Sequence, residues 1–203
     1  RYATALASAY NDHLVADWLP RDPRFYGSLV IAPQDPGRAA AEIRRLGDHP
    51  RIVQVLASHG AQRPYGDPFY HPIHEACAEM GLPFAIHLGG QGGINAAPTG
   101  SGNPTFFWEA HANFSQSAMT HVSSMIAQGV FERWPSHRFI VIECGVAWVA
   151  PLLWRLDADY KALRKETPWL RRLPSEYCRD HIRFTPQPLE DPPDSRHLWS
   201  ILE

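Results

Sequence analysis

Arg138-Phe139-Ile140-Val141-Ile142-Glu143 is a run of four apolar residues closed by a carboxylate. A short apolar run bounded by charge reads as a strand buried in a sheet. Four more runs of the same kind lie around it: Tyr26–Ala32 (YGSLVIA), Arg51–Ala57 (RIVQVLA), Pro83–Leu88 (PFAIHL) and His181–Thr185 (HIRFT). Helical segments separate them, and strands alternating with helices are the signature of a parallel sheet built from βαβ units.

The segments between the strands carry helical signals. Leu6, Tyr10, Leu14 and Trp18 repeat every four residues, which predicts a helix from Thr4 to about Trp18, ended by Pro20 and Pro23. Pro33–Pro36 turns the chain into a second helix bearing Ala39, Ala40, Ile43 and Leu46. A third ends near Met80 with Gly81 as its C-cap. One long helix is expected up to about Trp134, another over Ala147–Leu163, and a last one from Asp194. The Gly/Pro/Asn-rich stretch Gly89–Pro104 is longer than an ordinary connection and reads as a ligand-facing segment.

The composition sets limits on function. The chain has 203 residues, 19 Lys+Arg against 21 Asp+Glu and 44% hydrophobic residues, as expected of one globular domain. A net charge of −2 gives no general attraction to phosphate backbones, so no nucleic-acid partner is expected. Apolar runs are too short to span a bilayer, so no membrane association is expected. Three scattered cysteines, Cys77, Cys144 and Cys178, form neither a disulfide framework nor a CxxC site, and a cytoplasmic location follows as the expectation.

In parallel α/β folds, loops at the carboxyl ends of strands converge on the active site, so polar residues there carry the chemistry. The strands run out into Ser58-His59, His87, Glu143, and Thr185 with Gln187. His87 suits a ligand for a divalent metal, and a backbone-satisfied histidine is the plainer alternative. Glu143 needs a cation, a metal or hydrogen-bond donors to offset its desolvation. His59 is a weaker candidate. Phe106-Phe107-Trp108-Glu109 and His111 could line a pocket for a planar substrate, or Trp108 and its neighbours could be core. His71 and His74 read as surface histidines at a helix start, since the pair lacks the zinc-binding HExxH pattern.

Pro83–His87, Gly129–Pro135 (GVFERWP), Phe139–Trp148 with Trp154–Asp157 (WRLD), and Tyr177–Pro188 occur in an order that resembles the amidohydrolase-related family. The likeness is to the branch that includes aminocarboxymuconate-semialdehyde decarboxylase and the resorcylate decarboxylases. It implies a (β/α)8 TIM barrel carrying a divalent metal, zinc first with manganese or iron as alternatives. The implied reaction is hydrolysis or non-oxidative decarboxylation of a small carboxylated or aromatic substrate, in a homodimer. His87 matches the family's metal-ligand histidine on the fifth strand, with a catalytic part as well. Glu143 stands on the sixth strand, where many relatives have an acid/base histidine. The resemblance makes the five strands the third to seventh of eight, so the 203 residues are expected to be a single barrel domain truncated at both ends. His59, Trp108 and His111 are the candidate substrate contacts. The alternative is a non-catalytic barrel that binds a small molecule or partner after loss of its metal site.

Overall fold

The computed structural model describes residues 1–89 and 102–202. Its sheet has five parallel strands in chain order: β1 (Gly27–Val30), β2 (Ile52–Ser58), β3 (Phe84–His87), β4 (Phe139–Ile142) and β5 (Ile182–Phe184). Four of them fall within the stretches that the apolar runs mark, and β2 extends one residue past its stretch, to Ser58. Strands that follow one another in sequence also lie side by side, the arrangement of successive β/α units in a barrel wall.

Helix α1 (Tyr2–His13) continues through a π-helical turn, Leu14–Trp18, before Pro20 stops it. Asn11 fastens it to the sheet. The buried Asn11 amide donates to the Val30 carbonyl at 2.9 Å and accepts from the Val30 N–H at 2.9 Å, serving one residue of the β1 edge as a neighbouring strand would. Helix α2 (Pro36–Leu46) starts at Asp35, whose carboxylate accepts from the Arg38 N–H, with Pro36 in the first turn. It buries Ala39, Ala40 and Ile43 as the spacing predicts. Helix α3 (His71–Met80) ends at Gly81 in the left-handed region, φ 65°.

The long helix expected up to Trp134 is three: α4 (Phe107–Ala112), α5 (Phe114–Ala127) and α6 (Val130–Arg133). Asn113 departs from helical angles, and Gly129 at φ 72° reverses the chain beside the Trp169 indole. Helix α7 (Val149–Leu163) matches expectation, whereas α8 (Pro174–His181) was not anticipated; α9 (Arg196–Leu202) follows β5. The glycine-rich stretch lies outside the described residues over 90–101.

The register divides the sheet into two faces. Phe84 pairs with Phe139 and Ile86 with Val141, and these four side chains are buried. The two rings stack at 5.9 Å, with Ile43, Ile73, Val122 and Met125 from the helices in the same cluster. On the other face stand Ser58, His87, Ile140 and Ile142, all partly exposed. Successive residues of a strand alternate between faces, so this second face is where polar strand ends meet solvent.

Candidate active site

Ser58 pairs with His87, and His87 pairs with Ile142, so His87 stands at the carboxyl end of β3 between β2 and β4. Its Nδ1–H donates to the Leu88 carbonyl at 2.9 Å. That bond leaves Nε2 as the nitrogen presented to the opening. A cavity of about 650 Å³ adjoins it, walled by Val30, Ala32, Leu56, Ser58 and His87 together with Tyr10 of α1. The volume lies within the range of small-molecule sites.

Glu143 follows β4 by one residue. Strand alternation would send its side chain to the helix-facing side with Phe139 and Val141. The backbone prevents this: Glu143 has φ 59°, the positive-φ residue other than glycine among the described residues. Turned in this way, its Oε2 lies 2.7 Å from His87 Nε2. A carboxylate-bearing residue in the left-handed region is uncommon and costs energy, and such strain gathers at functional sites. Thr185 holds the turn, its Oγ1 accepting from the Glu143 N–H at 2.9 Å.

The pair offers one imidazole nitrogen and one carboxylate oxygen, donors that suit a divalent cation, and the Leu88 carbonyl orients the imidazole as a second partner does in many metal sites. Among the described residues no group of three His, Cys, Asp or Glu converges, so the pair alone could supply only part of a ligand set. A catalytic zinc site takes three protein ligands and a water.

The other candidates are distributed around this centre. His59 is buried on the helix-facing side; its N–H donates to the His87 carbonyl at 2.9 Å, and its ring lies 6.1 Å from Phe114 and 3.8 Å from Cys144 Sγ. It supports the His87 backbone from behind the sheet. His111 on α4 packs between Phe107 and Phe114 at 5.6 and 5.1 Å, and Phe114 links it to His59. Trp108 is 71% exposed on the same helix, whose start is fixed by Glu109 accepting from the N–H groups of Thr105 and Phe106. Burial and the neighbouring Glu143 carboxylate push the Cys144 thiol up to about 12, which favours the protonated form over the thiolate.

One reading of the sequence is corrected. His74 is fully buried, not a surface residue: its Nε2–H donates to the Tyr65 carbonyl at 2.7 Å and its ring lies in the aromatic layer of Phe84 and Trp134. On α3 it shares the buried face with Ile73 and Cys77, which the spacing of His71 and His74 alone does not reveal.

Residues 1–202 match the family model described as amidohydrolase. A curated relative, the gamma-resorcylate decarboxylase of Rhodococcus jostii, is 28% identical over 166 residues, 76% of this chain and 49% of the relative. The crystal structure of a 5-carboxyvanillate decarboxylase from Sphingomonas paucimobilis is 30% identical, with TM-score 0.74 over 98% of this chain and 59% of that one. A 5-carboxyvanillate decarboxylase from Novosphingobium aromaticivorans, solved with bound manganese, is 25% identical with TM-score 0.74, over 98% of this chain and 57% of that one. The chain thus spans about half the length of the curated relative it matches.

Proposed function

Because the chain belongs to the amidohydrolase family and its sheet is part of that family's (β/α)8 barrel, we propose that it serves metal-dependent, non-oxidative decarboxylation of a small aromatic carboxylate. The observation that carries the reading is the His87–Glu143 pair, brought together at 2.7 Å by a strained backbone at adjacent strand ends. The relatives named for gamma-resorcylate and 5-carboxyvanillate supply the substrate class.

His87 Nε2 and Glu143 Oε2 would hold the metal jointly with other donors. A divalent ion bound there supplies Lewis-acid charge to substrate oxygens. The chain's own part is proton handling and orientation. As the bond between ring carbon and carboxylate carbon breaks, its electron pair stays on the ring carbon and CO2 leaves. In this reading the second oxygen of Glu143, protonated before the bond breaks, would give its proton to this pair and return to carboxylate, the task a histidine performs in many relatives. Val30, Ala32, Leu56 and Ser58 would offer the ring a mostly apolar wall.

Manganese is the first metal to supply, given the manganese-bound relative, with zinc as the second. The same reading takes residues 1–203 as belonging to one barrel domain, in a homodimer. Three buried free thiols suit a reducing cytoplasm. Among the described residues no helix is long and apolar enough to cross a membrane.

The test is to load the protein with manganese, offer gamma-resorcylate and 5-carboxyvanillate separately, and follow loss of the carboxylate by chromatography. Turnover is expected with at least one of them, and His87→Ala should remove both turnover and bound metal while the protein stays folded. Unchanged metal content in that variant removes His87 from the site. A manganese-loaded protein that turns over neither compound overturns the decarboxylase reading.

A further inference from the structure

Glu143 meets His87 only because its backbone is held in a conformation that strand geometry does not supply, and the residues that hold it come from one short segment after β5. Thr185 is anchored to the sheet by its own N–H, which donates to the Val141 carbonyl at 3.0 Å, and its hydroxyl oxygen accepts from the Glu143 N–H at 2.9 Å. Two residues on, the Gln187 carbonyl accepts from the Gly145 N–H at 3.3 Å. Glu190 Oε2 then accepts from the N–H groups of Val146 and Ala147, each at 3.0 Å. Four consecutive contacts therefore bind Thr185–Glu190 along Glu143–Ala147.

The fit leaves little slack. Gly145 has φ 70°, and a Cβ there would lie 2.1 Å from Glu190 Oε1, so the carboxylate occupies the space that any larger residue would need. Beyond the turn, the Trp148 indole N–H donates to the Cys144 carbonyl at 2.8 Å and carries the constraint into α7. Two left-handed residues within three positions, Glu143 and Gly145, are gripped from the same side.

We infer that Thr185 and Glu190 are positioning residues for Glu143: they hold the 143–147 turn so that the carboxylate points at His87 rather than into the helix layer. The inference rests on the His87–Glu143 pairing used above and not on the identity of the substrate. Neither residue need touch substrate or metal. Their effect passes through the direction of the Glu143 side chain, and a displacement of about 1 Å at a reacting group can lower a rate about a hundredfold.

The experiment uses protein labelled with 15N-histidine, with the His87 imidazole signals assigned by their loss in His87→Asn and read at one fixed pH. Glu143→Gln should move the His87 Nε2 signal. Thr185→Val and Glu190→Ala should each move it in the same direction, whereas Thr185→Ser, which keeps the acceptor oxygen, should leave it in place. Combining Thr185→Val with Glu143→Gln should move it no further than Glu143→Gln alone, since residues acting through one group are not additive. With a turned-over probe such as gamma-resorcylate, Thr185→Val should lower kcat about a hundredfold with little change in KM. Full additivity, or a wild-type His87 signal in both Thr185→Val and Glu190→Ala, overturns the inference; so does a His87 signal unmoved by Glu143→Gln. If Thr185→Val fails to fold by circular dichroism, Glu190→Ala decides the matter. An inactive wild type showing the expected signal pattern removes the decarboxylase reading and leaves the positioning role standing.

Discussion

His74 and His137 face one another in the interior, with Nδ1 of the first 3.2 Å from Nε2 of the second. The proton positions follow from their other partners. His74 spends its Nε2–H on the Tyr65 carbonyl, so its Nδ1 is the acceptor and His137 Nε2–H the donor. His137 Nδ1 is then a buried lone pair without a hydrogen-bond partner. His121 is neutral by the same argument, donating to the His59 carbonyl at 2.7 Å and accepting from the Tyr65 N–H at 3.1 Å. The Tyr65 main chain thus joins helices α3 and α5 through two uncharged imidazoles.

Acid should therefore destabilise the protein before its carboxylates protonate. Burial holds His74 and His121 down at about 4, and holds His137 well below its ordinary value, where protonation would also set it against the Arg138 guanidinium and against His74 and His181 once those rings take up protons. The unfolded chain takes up protons near 6.5 and the folded chain does not, so stability is complete above that pH and falls as pH drops from about 6.5 toward 4. For His74 and His121 the loss is roughly 3 kcal/mol each once pH 4 is reached. Glu42 acts lower. Burial raises it, but hydrogen bonds from Arg45, Asn11 and Ser8 outweigh burial and hold it below its ordinary 4.5, so its contribution is lost only beneath that value. Urea midpoints measured from neutral pH down to the carboxylate range should decline steadily. A flat profile over that interval contradicts the neutral assignment.

Glu143→Asn should separate stability from activity. Asparagine tolerates the left-handed region better than glutamate, and relief of that strain is worth up to about 1 kcal/mol. The exposed His87 pair that is lost contributes about 0.5 kcal/mol. Unfolding free energy should stay within about 0.5 kcal/mol of wild type or rise, while turnover falls at least about a hundredfold if Glu143 carries the proton as proposed. A loss of stability much beyond 1 kcal/mol would show that the turn is held by the carboxylate rather than by Thr185.

The strands and the two polar strand ends were legible because each signal is local: an apolar run, then a histidine or a glutamate. What escaped depends on tertiary partners. Nothing around Glu143 announces a positive φ, since the cause is a threonine 42 residues later. Nothing in the sequence marks Glu190, whose partners are the backbone N–H groups of Val146 and Ala147 in a distant turn. The break at Asn113 and the burial of His74 have the same origin, as helix spacing gives a face but not what lies against it. The family resemblance puts His87 and Glu143 on neighbouring strands; alternation along β4 alone would send the Glu143 side chain to the helix layer, and the positive φ is what turns it toward His87.

Trp108→Ala should leave stability unchanged within about 0.5 kcal/mol, because the side chain is 71% exposed and buries little. If Trp108 forms part of the substrate surface, the substitution should raise KM for the aromatic carboxylate with kcat held, the pattern of lost uniform binding. Steady-state kinetics on the manganese-loaded protein read this directly. An unchanged KM removes Trp108 from the substrate contacts and leaves His111, which packs against Phe114, as the remaining candidate on that helix.

Gly66→Ala should be among the more damaging single-methyl additions. Gly66 lies directly against α5, where a Cβ would fall 2.2 Å from the Ser124 carbonyl oxygen and 2.3 Å from its carbon. Those atoms belong to helix backbone and cannot swing aside as a side chain would, so loop and helix must separate. Overpacking of this kind costs about 1–3 kcal/mol. The neighbouring Tyr65 donates its N–H to His121 and its hydroxyl to the Ser58 carbonyl at 2.6 Å, so the displacement should reach both the buried histidines and the end of β2. Thermal denaturation should show the loss, and hydrogen exchange at the Tyr65 amide should accelerate with it. Wild-type stability in Gly66→Ala would mean that the loop over α5 is looser than the hydrogen bonds at Tyr65 require.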